Sequence, residues 1–98
     1  MYVVLLNYVA PLEEVDVVLP EHSAWLAEQY EAGYFLASGR RRPRVGTVIL
    51  ARAMPRGKLD AILASDPFVV RRLVRHEVIE FQATRTAPPL VAYAEPVE

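Results

Sequence analysis

Residues 1–8 read Met-Tyr-Val-Val-Leu-Leu-Asn-Tyr, and this stretch decides the fold. Successive residues of a strand point to opposite faces of its sheet, and here both alternating sets are apolar. One set is Met1, Val3 and Leu5, and the other is Tyr2, Val4, Leu6 and Tyr8. A continuous apolar run of this length is typical of a strand buried on both faces. The pattern therefore predicts a strand that needs cover on both sides.

The rest of the chain predicts two helices and three further strands. Pro20 suits the first position of a helix and Gly33 suits the position just after its end. We therefore expect the main helix over 20–32, preceded by a short helical turn at 12–19. A short helix at 58–64 precedes a helical start at Asp66-Pro67, with the aspartate as N-cap. The four strands are predicted at residues 1–8, 34–39, 46–53 and 76–84.

The predicted order is β-α-β-β-α-β, which is typical of the α+β ferredoxin-like, split βαβ fold. Such a fold has an antiparallel four-stranded sheet with two helices on one face. Two helices cover only that face, whereas the first strand is apolar on both. The economical cover for the other face is a second copy of the chain, so we predict a homodimer packed sheet against sheet.

Length and composition limit the classes of protein that this chain can be. Its 98 residues fit one domain, expected over 1–84, with 85–98 as a proline-containing tail that packs on the dimer partner. The lack of cysteine excludes a disulfide scaffold, a thiolate nucleophile and a zinc-finger-type site. The sequence has no metal-binding or cofactor motif. It also lacks a run of roughly 20 apolar residues and a signal-peptide pattern, so we expect a cytoplasmic protein with no membrane partner.

A formal net charge of -1 hides a segregation of charge along the chain. Residues 1–35 carry -6, residues 36–75 carry +8 and residues 76–98 carry -3. Three interpretations of the basic cluster within 40–44 stay open: it binds an anionic small molecule, it pairs with the acidic first third of a chain, or it is solvated. A pI of about 6.1 and the lack of interleaved aromatic residues argue against nucleic acid.

Two titratable residues are candidates for chemistry. His22 lies on the inward stripe of the main helix, where it is either a core histidine or a general acid/base. Asp66 is the natural carboxylate to orient it, although capping alone also accounts for an aspartate before a proline. Their separation along the chain does not decide whether they meet. His76, the other histidine, is expected to be a solvated residue at a strand edge.

Four further residues are predicted to line a pocket that binds a small molecule. Ser38 and Gly39 end the second predicted strand, where a hydroxyl and backbone N–H groups suit a polar pocket wall. A glycine turn alone also accounts for this pair. Arg40 follows directly and suits an anionic group. Trp25 lies on the inward stripe of the main helix and is expected in the core or the pocket wall.

The chain resembles the YCII-related (YciI-like) family over residues 1 to about 84. The resemblance rests on the order and spacing of six short segments: Tyr-Val-Val-Leu-Leu at 2–6, His-Ser-Ala-Trp-Leu at 22–26, Leu-Ala-Ser-Gly at 36–39, Gly-Thr-Val-Ile-Leu-Ala at 46–51, Asp-Pro-Phe at 66–68 and Glu-Val-Ile-Glu-Phe at 77–81. It implies a dimeric α+β barrel. It also implies that His22 and Asp66 form an active-site pair in a pocket near the dimer interface, with Ser38 and Gly39 close by. One carboxylate oxygen of Asp66 would then cap the helix while the other faces His22.

Two functions from different classes are compatible with these residues. The first is a small acid–base enzyme in which His22 moves a proton and Asp66 orients it, with an anionic group held by Arg40, Arg41 or Arg42. Proton abstraction, elimination or isomerisation fits better than hydrolysis, because the sequence shows no nucleophile or metal motif. The second is a non-catalytic module that binds a metabolite in the same pocket or docks on a partner enzyme.

Overall fold

The computed structural model describes residues 1–96, so the last two residues of the predicted tail lie outside the described residues. Its elements follow the predicted order, including the helical start at Asp66-Pro67, and a short 3-10 helix is added in the tail. They are β1 (Tyr2–Tyr8), α1 (Leu12–Glu31), β2 (Phe35–Arg40), β3 (Gly46–Ala51), α2 (Arg56–Ala64), α3 (Pro67–Val70), β4 (Val74–Glu80) and a C-terminal 3-10 helix (Pro88–Tyr93). None of the helices within residues 1–96 is both long enough and apolar enough to cross a membrane.

The four strands form one antiparallel sheet in the order β2-β3-β1-β4. Strand β3 lies between β1 and β2, and β1 lies between β3 and β4. Each helical connection therefore passes over one intervening strand, which gives two interleaved split βαβ units. The predicted α+β ferredoxin-like fold is confirmed. The apolar strand at the start of the chain is one of the two central strands of the sheet.

The two faces of β1 have different surroundings. Its even-numbered residues Tyr2, Val4 and Leu6 are buried in the main core, together with Trp25 of α1 and with Leu59 and Leu63 of α2. Burying side chains of this size supplies most of the favourable free energy of folding. The odd-numbered residues of β1 are only half-buried and face away from the helices. The helices thus cover one face of the sheet, and the other stays open within a single chain.

The prediction that a new helix begins at Pro20 is wrong. Helix α1 runs without a break from Leu12 to Glu31, with Pro20 inside it. A proline inside a helix removes one backbone hydrogen bond and costs roughly 3 kcal/mol. The buried residues of α1 continue on one stripe from before the proline to after it: Val15, Val18, His22 and Trp25. Burial of that stripe offsets the local cost of the proline. An argument from helix propensity alone does not include this burial.

The predicted ends of the last two strands are also wrong, and β1 accounts for both. Strand β3 ends at Ala51, which pairs with Tyr2, instead of continuing to 53. Strand β4 covers Val74–Glu80 instead of 76–84, because its first and last residues pair with Tyr8 and Tyr2 at the two ends of β1. Backbone pairing continues by one bond beyond each end, from Val9 to Leu73 and from Phe81 to Met1. The composition of β4 does not encode the length of its partner strand.

The described part of the tail folds back onto its own chain. The Glu95 carboxylate accepts hydrogen bonds from the Met1 ammonium at 2.7 Å and from the Ala83 N–H at 3.1 Å. These two contacts hold the pKa of Glu95 below its usual range. The Arg52 guanidinium lies 5.3 Å from the centre of the Tyr93 ring, a cation–π distance. Packing of this tail on a partner remains a prediction.

Replacing Gly46 with alanine tests the close approach of β3 to β1. A β-carbon at Gly46 would overlap the carbonyl oxygen of Leu6 and lie 3.1 Å from the Cα of Asn7. Both neighbours are backbone atoms of a central strand and cannot move aside as a side chain can. We expect the free energy of unfolding to fall by at least about 2 kcal/mol, measured by urea denaturation.

Gly57→Ala is the matched control for this substitution. A β-carbon there meets no atom within 4 Å, and Gly57 lies in the first turn of α2. Alanine has a higher helix propensity than glycine, so we expect the free energy of unfolding to rise by up to about 1 kcal/mol. Equal effects of the two substitutions would contradict the importance of the β1–β3 approach.

Candidate functional site

The site is built where the middle of α1 packs against the start of α3. His22 points inward from α1 and is 2% exposed, and Asp66 is completely buried. Asp66 is the N-cap of α3, where its Oδ1 accepts the N–H of Phe68 at 2.9 Å, and Pro67 follows it in the first turn. The predicted N-cap at Asp66 is therefore present. A cap of this kind orients the carboxylate along the helix start.

His22 and Asp66 meet although 44 residues separate them in sequence. The Nδ1 of His22 lies 2.8 Å from the Oδ1 of Asp66. That oxygen is the same one that caps α3, so the expectation of one oxygen for each task is wrong. Because α1 packs directly over the first turn of α3, His22 contacts the same oxygen that caps this helix. The second oxygen, Oδ2, is buried and has no hydrogen-bond partner among the described residues.

Aromatic side chains hold the His22 ring in place. The Phe68 ring is stacked on it, with centroids 4.0 Å apart and planes 10° apart. Trp25 lies on α1 one turn further along, 5.7 Å away. The Trp25 indole donates a hydrogen bond to Ser65 Oγ at 2.9 Å, and Ser65 donates to the Ile62 carbonyl at 2.6 Å. Sequence reasoning missed Ser65, although it directly precedes Asp66 in the chain.

One ring nitrogen of His22 has no hydrogen-bond partner among the described residues. An ionised carboxylate only accepts hydrogen bonds, so Nδ1 carries the proton when it pairs with Asp66. In the neutral ring Nε2 is then the basic nitrogen. This Nε2 is buried and contacts no hydrogen-bonding atom within residues 1–96. The pair therefore has the arrangement of an oriented base, but it is enclosed by one chain instead of lying in a cleft open to solvent.

The other predicted pocket residues lie elsewhere on the protomer. Ser38, Gly39 and Arg40 line a shallow groove of about 220 Å³ together with residues of β3 that face away from the helices. The Ser38 hydroxyl is 2.6 Å from the Tyr30 hydroxyl, and Tyr30 is two turns beyond His22 along α1, roughly 12 Å. Of the six predicted site residues, the structure brings together His22, Asp66 and Trp25. It does not bring Ser38, Gly39 or Arg40 to them within one chain.

Several basic side chains pair with the acidic first third of the chain. Arg44 forms an ion pair with Asp16 of α1, and Arg71 contacts both oxygens of Glu21 at 3.1 and 3.2 Å. The hydrogen bond from Arg44 lowers the pKa of Asp16 and raises the pKa of Arg44 itself. Two of the segregated bases therefore face acidic residues of the same chain. Among residues 1–96, no group of three or more His, Asp or Glu side chains is arranged to hold a metal ion.

The fold and the buried pair define an α+β ferredoxin-like protein with a histidine–carboxylate site between its helices. The sequence matches the family model of the YCII-related domain over residues 1–82, and the chain belongs to that family. The match ends before the tail begins. A comparison with curated proteins found none that matches this sequence.

A solved structure has the same fold. It is 5-chloro-2-hydroxyhydroquinone dehydrochlorinase (TftG) from Burkholderia phenoliruptrix, in complex with 2,5-dihydroxybenzoquinone. The two chains superimpose with a TM-score of 0.62 at 15% identity, over 83% of this chain and 93% of that one. At this identity the likeness establishes the fold and nothing finer.

Substitutions of Asp66 test how much its hydrogen bonds to His22 and to the Phe68 N–H contribute to stability. Asp66→Ala removes the cap of α3, which costs about 1 kcal/mol, and leaves the His22 Nδ1–H buried without an acceptor, which costs about 1–3 kcal/mol. Asp66→Asn keeps a side-chain oxygen for both bonds. We expect the alanine variant to lose about 2–4 kcal/mol of unfolding free energy and the asparagine variant less than half as much.

Asp60→Ala is the control, because Asp60 is half exposed and, within residues 1–96, pairs only with Arg56 one turn away on α2. Exposed pairs contribute little to stability, so urea denaturation of this variant should resemble that of the parent protein. A loss in Asp66→Ala no greater than in Asp60→Ala would contradict the structural role of the shared oxygen.

Proposed function

We propose that this protein binds a small polar or aromatic molecule and moves a proton on it with the His22–Asp66 pair. The observation that carries the proposal is the geometry of His22: Nδ1 bonds the Asp66 carboxylate at 2.8 Å while Nε2 has no partner among the described residues. The carboxylate fixes the orientation of the ring and stabilises the imidazolium that forms when Nε2 takes a proton.

The chemistry that suits this pair is proton abstraction, elimination or isomerisation. Nε2 would accept a proton from a carbon or hydroxyl of the ligand, and the electron pair left behind would form a double bond or expel a leaving group. The structural relative supports this class, because it is a dehydrochlorinase in complex with 2,5-dihydroxybenzoquinone. The Phe68 and Trp25 rings beside His22 would favour a planar apolar ligand body.

A non-catalytic binding module is the second candidate, and the burial of His22 favours it. At 2% exposure the ring is stacked on Phe68 and enclosed by the α1–α3 contact. A ligand would reach Nε2 only if these helices separate or the molecule enters from the sheet side. A buried His–carboxylate pair also serves to hold two helices together without any chemistry.

His22→Ala and His76→Ala distinguish these functions, because both remove a histidine but only one belongs to the pair. Wild type is screened against small phenols, quinones and carboxylates, with binding followed by thermal shift and turnover by mass spectrometry. For an acid–base enzyme we expect turnover to fall about 10²- to 10⁴-fold in His22→Ala and to stay unchanged in His76→Ala, which alters an exposed side chain of β4.

Two other results would have different meanings. Binding by wild type without turnover of any bound compound supports the binding module. Turnover in a folded His22→Ala variant at the wild-type rate would contradict a catalytic role for the pair.

We further propose that the protein is a homodimer joined through the open face of the sheet. We define the open face as the apolar residues that point away from the helices: Val3, Leu5, Val48, Leu50 and Ile79. Ile79 is 47% exposed, and the face is continuous across three neighbouring strands. A second copy would bury this surface and bring the groove at Ser38, Gly39 and Arg40 to the interface.

Leu50→Lys tests the dimer. A lysine in the centre of the open face would be buried without a partner, so we expect a wild-type dimer and a variant monomer by analytical ultracentrifugation at tens of micromolar. Val17→Lys is the control, because Val17 is 73% exposed on α1, away from the sheet, and should leave the dimer intact. A monomeric wild type would contradict the proposed interface.

A further inference from the structure

The corner between α2 and α3 consists of Ser65 and Asp66, and both side chains bond aromatic rings of α1. Ser65 is the C-cap of α2, and Asp66 is the N-cap of α3. The Trp25 indole N–H donates to the Ser65 hydroxyl at 2.9 Å, one helical turn beyond the contact that His22 makes with the corner. Residues three apart are neighbours on one face of a helix. Two adjacent residues of the corner therefore meet two adjacent side chains of α1.

The Ser65 hydroxyl takes part in two hydrogen bonds that fix its orientation. It donates to the Ile62 carbonyl at 2.6 Å, which leaves its lone pairs for the indole, and the indole N–H can only donate. Ser65 itself is exposed, so water would accept from the indole if the hydroxyl were removed, and the bond contributes little to stability. Water is not attached to the chain at residue 65. The bond therefore contributes position, because it ties Trp25 to the residue that directly precedes Asp66.

His22 lies between two parts of the core. Trp25 belongs to the main core, whereas Phe68 belongs to a second cluster with residues from the first half of α1. The His22 ring is stacked on Phe68 at 4.0 Å and lies 5.7 Å from Trp25. Apolar contacts are non-directional, so they tolerate small rotations of α1, whereas a hydrogen bond requires a defined direction. The bond from Trp25 to the corner therefore limits the rotation of α1 between the two clusters.

We propose that Ser65 is a positioning residue for the His22–Asp66 pair and that it acts through Trp25. Its bond to the indole holds α1 at the rotation that brings Nδ1 of His22 to the Asp66 carboxylate, and so keeps Nε2 as the basic nitrogen. Without the hydroxyl, α1 would rotate enough for the Nδ1 bond to open, and the proton would then reside on either nitrogen. The proposal rests on the proposed function, because a proton moves to Nε2 only while Nδ1 holds the other one.

The test is an NMR measurement on the full-length protein that needs no ligand. Long-range hydrogen–nitrogen correlation spectra of the neutral His22 ring show which nitrogen carries the proton, and the chain has only one other histidine. We expect the proton on Nδ1 alone in wild type. In Ser65→Ala we expect a second form with the proton on Nε2, and an Nδ1–H that exchanges with water about two- to tenfold faster.

Three further variants separate position from packing. Ser65→Thr keeps the hydroxyl and should restore the wild-type spectrum. Trp25→Phe keeps a ring and removes the indole donor, so it should reproduce the change seen in Ser65→Ala, and it decides the test if that variant fails to fold. Ser23→Ala is the matched control, because it removes the same hydroxyl from an exposed position beside His22 on α1 and should leave the His22 spectrum unchanged.

An unchanged His22 spectrum in Ser65→Ala and Trp25→Phe would overturn the proposal even if both variants lower the free energy of unfolding, because Ser65 would then have a structural role only. An equal change in Ser23→Ala, or a wild-type ring protonated on Nε2, would also overturn it. Turnover is a separate readout: for any compound that wild type converts, Ser65→Ala should lower kcat about two- to tenfold with KM unchanged. An altered spectrum in Ser65→Ala with no turnover by wild type would support the positioning role and count against the proton-transfer function alone.

Discussion

The central constraint on this molecule is that β1 is apolar on both faces and paired along both edges. Its hydrogen-bonding groups set where β3 and β4 end, and its even-numbered residues form the base of the core. The helices satisfy only one of its faces. The other stays open within one chain, and we propose a second copy there because half-exposed valine and leucine side chains gain free energy when they leave water. Fold, strand length and the proposed dimer all follow from this one strand.

The candidate site depends on one Asp66 oxygen that takes part in two hydrogen bonds. The same Oδ1 caps α3 and contacts His22, so the His22–Asp66 pair is held by the contact that begins the helix. A site built on such a cap is rigid, since moving the carboxylate would also unravel the first turn of α3. It is also enclosed, because Phe68, which follows the cap, is the residue stacked on the histidine.

The errors in the predicted elements share a physical cause. Pro20 has a strong local preference for a helix start, yet the buried stripe from Val15 to Trp25 passes straight through it, and tertiary burial outweighs that preference. The alternating pattern of β4 continues in the sequence beyond Glu80, yet only Met1 is left to pair there, through two backbone bonds with Phe81. Of the three interpretations of the basic cluster, pairing with acidic residues accounts for Arg44, and no local pattern distinguishes Arg44 from Arg42.

Features that depend on local chemistry and periodicity could be predicted from the sequence alone. These are the order of strands and helices, the two apolar faces of β1, the cap at Asp66-Pro67 and the inward position of His22. The long-range contacts came from the tertiary structure alone: His22 reaches Asp66 across 44 residues, both bonds of Asp66 use one oxygen, and Arg44 pairs with Asp16. Such contacts depend on strand register and on how the helices pack across the sheet, and no short stretch of sequence encodes either.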